Sequence, residues 1–353
     1  MRFHRVISRA LFCLSLGLTL AACGGAAENS ETLIANDSAP RPICGLTPTC
    51  DTPALIGQPE GFQGSAPKGD AWHFGKDFYY NETNDQWVIA KFQYGNYLFR
   101  SPLVAEKVEI QLLRTCGGSW ETLGSVTTTQ KGQHPDVMGY VDEGGMVFFK
   151  IPESKKLGLG RHRIRLVVSG DQSATELYLE ILERGTSLFV SDVDGTLTTS
   201  ELIEGVASVF GAMAPAHSGS SAVLKTLASK GYRPLYLTAR ASNLVQRTRD
   251  FLKTKKFPDG MVMTSPATTL GYSGSKGAAY KAAVLQSLED RGFNVVYAFG
   301  NSKTDAEAFA NTNILDSNKY FYKFDGFDAF GGGQSFKSYE ELDVAANAQD
   351  LCI

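Results

Sequence analysis

The chain reads as two folded domains in series: an all-β sandwich, then an α/β domain built on a Rossmann-like parallel sheet. Three observations predict this. Its 353 residues suffice for two hydrophobic cores at roughly 100–200 residues per domain. Between Trp72 and about Glu183, short β-branched and aromatic runs recur between turn signals. From Ser187 onward, apolar strand patterns alternate with helical ones, the order that builds a parallel sheet with helices on both faces.

Composition narrows the classes first. With 43% hydrophobic and 20% charged residues, collagen, low-complexity disorder and a polytopic membrane protein are excluded. A formal charge of −3 gives no electrostatic basis for a nucleic-acid partner.

Residues 1–22 carry Arg2, Arg5 and Arg9 with no acidic residue, then the apolar run Leu11 to Leu20, too short for a stable span. They predict an export signal. It ends in Leu20-Ala21-Ala22-Cys23, which resembles the lipobox of bacterial lipoproteins. That resemblance implies a lipid on Cys23 and a place in the bacterial envelope. Gly24 after the cysteine, rather than Asp, points to the outer membrane, facing the periplasm. Residues 23–70, rich in Gly, Ala, Ser and Pro, read as a flexible tether.

Cys44, Cys50, Cys116 and Cys352 remain, an even number for an oxidising compartment, so two disulfides are expected. Cys44 with Cys50 is the default short loop, with Cys116 to Cys352 as second pair, although four cysteines allow three pairings. Scattered histidines and the lack of a C-x-x-C give a zinc site little weight.

In the sandwich, residues 71–185, strands are predicted over Trp87–Tyr94, Val108–Arg114, Met146–Ile151, His162–Val168 and Glu176–Leu182. Arg161, Arg163 and Arg165 alternate with apolar neighbours and share one face. A solvated face is the preferred reading, and a patch for anionic headgroups the alternative.

In the α/β domain, residues 186–353, strands are predicted over Ser187–Ser191, Pro234–Thr238, Met261–Thr264 and Asn294–Phe299. Helices are predicted over Ser221–Lys230, Ser242–Thr254 and Lys276–Asp290. Toward the C-terminus an edge strand is expected within Asn318–Phe324, a loop over Phe327–Gln334 and a helix over Glu340–Asp350.

Ligands of such sheets bind beyond the strand C-termini. There lie Asp192-Val193-Asp194-Gly195-Thr196, then Thr238-Ala239-Arg240, then Asn301 to Asp305. Two aspartates two residues apart at a turn can share a hard cation such as Mg²⁺, one attacking phosphorus while the other moves protons. Thr238 offers a hydroxyl to phosphate, and a lysine is needed to offset the negative charge. The chemistry is phosphoryl transfer.

This motif set resembles the haloacid dehalogenase superfamily. The segments Gly231 to Arg240, Phe257-Pro258-Asp259-Gly260 and Tyr297 to Asn301 resemble the lipin-type phosphatidate phosphatase domain and the C-terminal domain of retinal-degeneration-B-type phosphatidylinositol transfer proteins. The latter likeness reaches back through the sandwich, for instance at Glu106 to Ile110 and Val167 to Asp171. The resemblance implies Asp192 as nucleophile, Asp194 as general acid and base, and Thr238 and Lys281 on the phosphate. Asp192, Asp194, Asn301 and Asp305 would surround Mg²⁺. Lys276 is the competing lysine. The transfer-protein relatives lack the first aspartate and bind phosphatidate without hydrolysing it, whereas Asp192 is present here.

The spacing from Asp192 through Thr238 to Lys281 leaves no room for a large cap, so an open site is expected. Lys225, Lys230, Arg233, Arg240, Arg247 and Arg249 give the region positive character, read equally as a solvated helix surface or as headgroup attraction. The sequence therefore predicts a Mg²⁺-dependent phosphatase turning phosphatidate into diacylglycerol on a membrane. Two alternatives stand beside it: a noncatalytic phosphatidate-binding or sensing module, and a phosphatase for a soluble or protein-borne phosphate.

Overall fold

The computed structural model describes Cys44 and residues 49–96, 99–199, 213–268 and 270–352. The predicted export signal and Cys23 lie outside the described residues. Among the described residues, no helix is long and apolar enough to cross a membrane.

The first half holds β1 (Asp70–Ala71), β2 (Phe74–Gly75), β3 (Phe78–Tyr80), β4 (Trp87–Lys91), β5 (Gln93–Gly95) and β6 (Arg100–Pro102). It continues with β7 (Lys107–Leu113), β8 (Glu121–Thr127), β9 (Met146–Lys150), β10 (Gly160–Val168) and β11 (Ala174–Ile181). A five-stranded sheet, β3-β11-β10-β7-β8, packs against β2-β4-β9, with β1-β5-β6 as a third small sheet. Alternation builds the core: Ile110, Leu112, Ile164, Leu166, Leu177 and Leu179 are fully buried against Val88 and Phe92 of the facing layer. The very short strands and the exposed edge strand β8 carry too little apolar alternation to be read in advance.

The second half holds β12 (Ser187–Ser191), α1 (Ser220–Ser229), β13 (Arg233–Thr238), α2 (Val245–Thr254), β14 (Met261–Thr264), α3 (Gly274–Asp290) and β15 (Asn294–Gly300). Then come α4 (Lys303–Ala310), β16 (Lys319–Tyr322), β17 (Gln334–Phe336) and the one-turn α5 (Val344–Asn347). The sheet order is β14-β13-β12-β15-β16-β17, every pair parallel. Its two faces read off β12: Phe189 joins the core under α1 and α2, while Leu188 and Val190 join that under α3 and α4.

Four expectations change here. The strand at Lys319–Tyr322 is internal, because β17, which starts at the last residue of the expected loop, takes the edge. Ser242–Leu244 is a 3-10 turn leading into α2. The expected C-terminal helix is a 3-10 turn at Tyr339–Glu341 plus α5; Lys230 Nζ takes the carbonyls of Ala346 and Ala348 at 2.9 and 2.7 Å. The disulfides pair Cys44 with Cys352 and Cys50 with Cys116, so neither default pair forms.

The arginine face of β10 is neither solvated nor open to lipid. Arg163 donates to the carbonyls of Cys50 and Thr52 at 2.8 and 3.0 Å, and Arg165 to that of Leu55 at 3.1 Å. From Thr49 on, the stretch expected as a tether is thus strapped to the sandwich. Glu60 and Gly61 extend the attachment, donating to the carbonyls of Ser169 and Gly170.

Polar cross-links join the two halves. Asp77 accepts from Tyr178 N, Val262 N and Arg249 Nη2 at 2.8, 3.0 and 2.6 Å. Arg233 pairs with Glu180, both almost wholly buried. Of the expected positive surface, Arg233, Arg249 and Lys230 are therefore internal fastenings.

Candidate active site

The central strand β12 ends at Ser191, and the chain turns out of the sheet through Gly195, whose φ of +77° is a left-handed conformation that glycine adopts without penalty. Asp192 still bonds to Phe299 O of β15 at 2.9 Å, which holds its carboxylate at the strand end, 5% exposed. Neighbouring strands bring Thr238 and the Gly300–Asn301 corner to the same level.

α3 supplies the cation. Its buried stripe runs Gly277, Ala278, Lys281, Leu285, Leu288, so Lys281 sits where the helical period demands an apolar residue. Lys281 Nζ donates to Asp192 Oδ1 at 2.5 Å and to Asp305 Oδ1 at 2.6 Å. Lys276 instead lies over the Tyr272 ring at 4.0 Å. Of the two lysines, Lys281 is the one that meets Asp192.

Burial pushes the Asp192 carboxyl up to about 7; Lys281 pulls it back down, and Asp305 and Asp194 add to the rise. For Lys281, burial works against the charge, but the two carboxylates outweigh it and raise the ammonium above its ordinary value.

Asp305 is a structural anchor. It occupies the third position of α4 in a capping box with Ser302. Its Oδ2 accepts from Asn301 N, Ser302 N and Ser302 Oγ at 3.1, 3.1 and 2.7 Å. A Cβ on Gly300 would lie 2.4 Å from Asp305 Cβ, so this close helix entry requires glycine. With Oδ1 on Lys281, both oxygens accept from groups of the protein.

Asp194 is committed as well, to Arg240 Nε at 2.9 and 2.7 Å, to Arg240 Nη2 at 2.5 Å and to the Thr238 hydroxyl at 3.1 Å. Arg240, placed by the sequence at the Thr238-Ala239-Arg240 strand end but given no role beyond positive character, is 7% exposed and part of the site. Thr196 was passed over too, although it closes the Asp-x-Asp-Gly-Thr run. Its hydroxyl lies 3.2 Å from Asp192 Oδ2 and 2.9 Å from Asn301 Oδ1.

Among the described residues, no three His, Cys, Asp or Glu side chains gather as a metal cluster. Asp192 Oδ2 and Asn301 Oδ1 nevertheless lie on the same side of the site, both within reach of the Thr196 hydroxyl. A sparse all-oxygen set is what Mg²⁺ takes when it keeps water and substrate oxygens as its other ligands. The residues fit such an ion.

Comparison with known proteins agrees with this architecture. Residues 71–181 match the family model described as the PITM 1-3 beta-sandwich domain, and residues 189–323 that described as the PITM 1-3 LNS2 domain. The protein retinal degeneration B of Drosophila melanogaster is 26% identical over 244 residues, 69% of this chain and 17% of that protein. Human membrane-associated phosphatidylinositol transfer protein 1 is 27% identical over 250 residues, 70% of this chain and 18% of its own length. Its mouse paralogue 2 is 30% identical over 183 residues, 52% of this chain and 12% of its own. The chain thus spans less than a fifth of the length of each of these three relatives. A class C acid phosphatase from Bacillus anthracis aligns at 20% identity over 35% of this chain and 54% of its own, with a TM-score of 0.27, too slight to bear on function.

Proposed function

Since both halves of the chain are homologous to the beta-sandwich and the haloacid-dehalogenase-like, lipin-related LNS2 domains of the retinal degeneration B proteins, we propose that it is a phosphatase for a lipid phosphate, with phosphatidate as substrate. The observation that carries this reading is Asp192, a buried carboxylate at the end of the central strand, held by Lys281 and level with Thr238.

In this mechanism an Asp192 oxygen attacks phosphorus while the bond from phosphorus to the ester oxygen breaks. Asp194 gives that oxygen its proton, which releases diacylglycerol and leaves an aspartyl-phosphate. Water then attacks the same phosphorus, Asp194 takes the water proton, and the bond from Asp192 to phosphorus breaks to release inorganic phosphate. Thr238 and Lys281 hold the phosphoryl oxygens. Asp192 and Asn301 would hold Mg²⁺, which when bound supplies positive charge against the equatorial oxygens. Arg240, paired with Asp194, orients that carboxylate for both proton transfers.

The relatives are named as transfer proteins, which supports a second reading, phosphatidate binding without hydrolysis. In either case a lipid on Cys23 would keep the chain at the envelope membrane that presents the ligand.

The test is phosphate release by the purified protein from phosphatidate in mixed micelles and from a soluble phosphomonoester, with Mg²⁺ or chelator and with Asp192→Asn as control. Mg²⁺-dependent release from phosphatidate, lost in the variant, is expected. Release from the soluble ester alone would move the substrate class, and tight vesicle binding without release would establish the binding module.

A further inference from the structure

The charges buried between the sandwich and the α/β domain do not balance. Three guanidinium groups there have carboxylate partners: Arg163 with Glu176 at 2.7 Å, Arg233 with Glu180, and Arg249 with Asp77 at 2.6 Å. A fourth, Arg161, makes no ion pair within 4 Å; it stands across from Glu180 of β11, whose Oε1 is on Arg233, so one carboxylate serves two guanidinium groups. Arg161 is 7% exposed, and its Nε and Nη1 are buried without a hydrogen-bond partner. Its guanidinium lies over the Tyr178 ring at 4.3 Å. Nε of Arg249 is likewise buried and unsatisfied.

Both arginines line a cavity of about 500 Å³ between β10, β11, α2 and the strapped segment Thr49–Pro53. That is the size range of sites for small organic ligands. The walls alternate in character, with Arg161, Arg163 and Arg249 beside Tyr178, Tyr236 and Phe257. The acidic residues on the lining are engaged or lie at the rim. Asp51 faces Lys253 at 3.5 Å, Asp250 accepts from Gln246 at 2.9 Å, and Asp259 has interactions of its own. With Glu176 on Arg163, the lining carries four cations and four carboxylates, so what marks the site is the unbonded edge of Arg161 and not a surplus of charge.

A desolvated guanidinium without a counter-ion of its own is costly. We propose that this cavity is a second binding site, apart from the Asp192 cleft, for a small organic oxyanion. Nη2, the edge of the Arg161 guanidinium that is not walled in, takes its phosphate or carboxylate head, and the aromatic wall takes its body. A guanidinium suits either head because its planar fork matches a pair of oxygens. The segment Thr49–Pro53 closes one wall, so the disulfide from Cys50 to Cys116 is part of what forms the site. The inference does not depend on the phosphatase reading.

The experiment compares the melting temperatures of wild type, Asp192→Asn and Arg161→Met at matched ionic strength. The probes are inorganic phosphate, dihexanoyl phosphatidate, citrate and sodium chloride. At least one oxyanion should raise the wild-type value by about 3–5 °C over chloride. The rise should vanish in Arg161→Met, which separates this cavity from the Asp192 cleft, and persist in Asp192→Asn, which shows that turnover plays no part in it. Phosphate alone would identify a free anion as ligand, phosphatidate alone a lipid headgroup, and citrate a carboxylate. No oxyanion surpassing chloride, or a full rise retained in Arg161→Met, would overturn the proposal. Should Arg161→Met fail to fold, a bromide soak of wild-type crystals decides. An anomalous peak within hydrogen-bond reach of Arg161 supports the site, and a cavity holding only water refutes it.

Discussion

Arg240 grips Asp194 fork to fork, Nε 2.9 and 2.7 Å from its two oxygens and Nη2 2.5 Å from Oδ1. The grip is braced from behind, since Arg240 Nη1 donates to the Thr248 hydroxyl of α2 at 3.1 Å. The residue proposed to move protons is thus held by an arginine two residues beyond the end of β13.

Removing that grip should cost rate rather than binding. Arg240→Met leaves Asp194 with the Thr238 hydroxyl alone, and kcat for phosphate release is expected to fall roughly 10- to 100-fold with KM little changed. Arg240→Lys, a point charge in place of a fork, should recover only part of the loss. Steady-state kinetics on both variants checks this, and an unchanged kcat in Arg240→Met would remove Arg240 from the mechanism.

Asp192→Asn keeps the shape and removes the attacking oxygen. Turnover should drop by roughly 10⁵- to 10⁶-fold, to background, while circular dichroism and phosphatidate binding persist. Release near the wild-type rate would require another nucleophile.

Lys281 holds two buried carboxylates apart, and without it they face each other uncompensated. Lys281→Met is expected to lose about 3–5 kcal/mol of stability in urea unfolding, together with activity. Lys276→Met, acting at the Tyr272 ring, should change neither by much.

Lys76 gives a pH signature at the domain boundary. Its Nζ donates to the carbonyls of Thr264 and Ser265 at 3.2 and 3.1 Å and to the Ser242 hydroxyl. Burial pushes its amine down to about 7 from the ordinary 10.5, against the pull of Asp77. Between those values the unfolded chain binds a proton that the folded chain has released, so stability rises with pH across that window and is level below it. Wild type should therefore gain melting temperature relative to Lys76→Met as pH goes from about 7 to 10, and parallel curves would contradict the shift.

The disulfide from Cys50 to Cys116 closes a loop of sequence separation 66. Replacing both cysteines with alanine should cost about 2–4 kcal/mol and open the segment around Cys50 to limited proteolysis. Unaltered cleavage would mean that Arg163 and the Trp120 indole, which donates to Pro53 O at 2.8 Å, hold the strap unaided.

What was legible in the sequence was local. Ser187–Ser191 and Met261–Thr264 fall where their apolar runs place them, because a buried central strand is written in consecutive residues. Asp192, Thr238 and Asn301 were legible because each closes such a run, and strand ends are where parallel sheets present polar groups. Arg240 was not, since a cation two residues beyond a strand looks the same whether it meets solvent or a carboxylate 46 residues away.

The sequence by itself determined the two-domain order, the parallel sheet and the acidic strand end, all properties of hydrophobic period and turn chemistry. Tertiary structure alone decided which lysine meets Asp192, which cysteines pair, and that Asp305 caps a helix and binds Lys281. It also decided that the arginine face of β10 lies beneath residues 49–55. These outcomes rest on partners far apart in the chain, such as Arg163 and Cys50, separated by 113 residues. No local period or propensity encodes such a meeting; it follows only once both cores have packed and buried charges must find whatever partner the packing brings near.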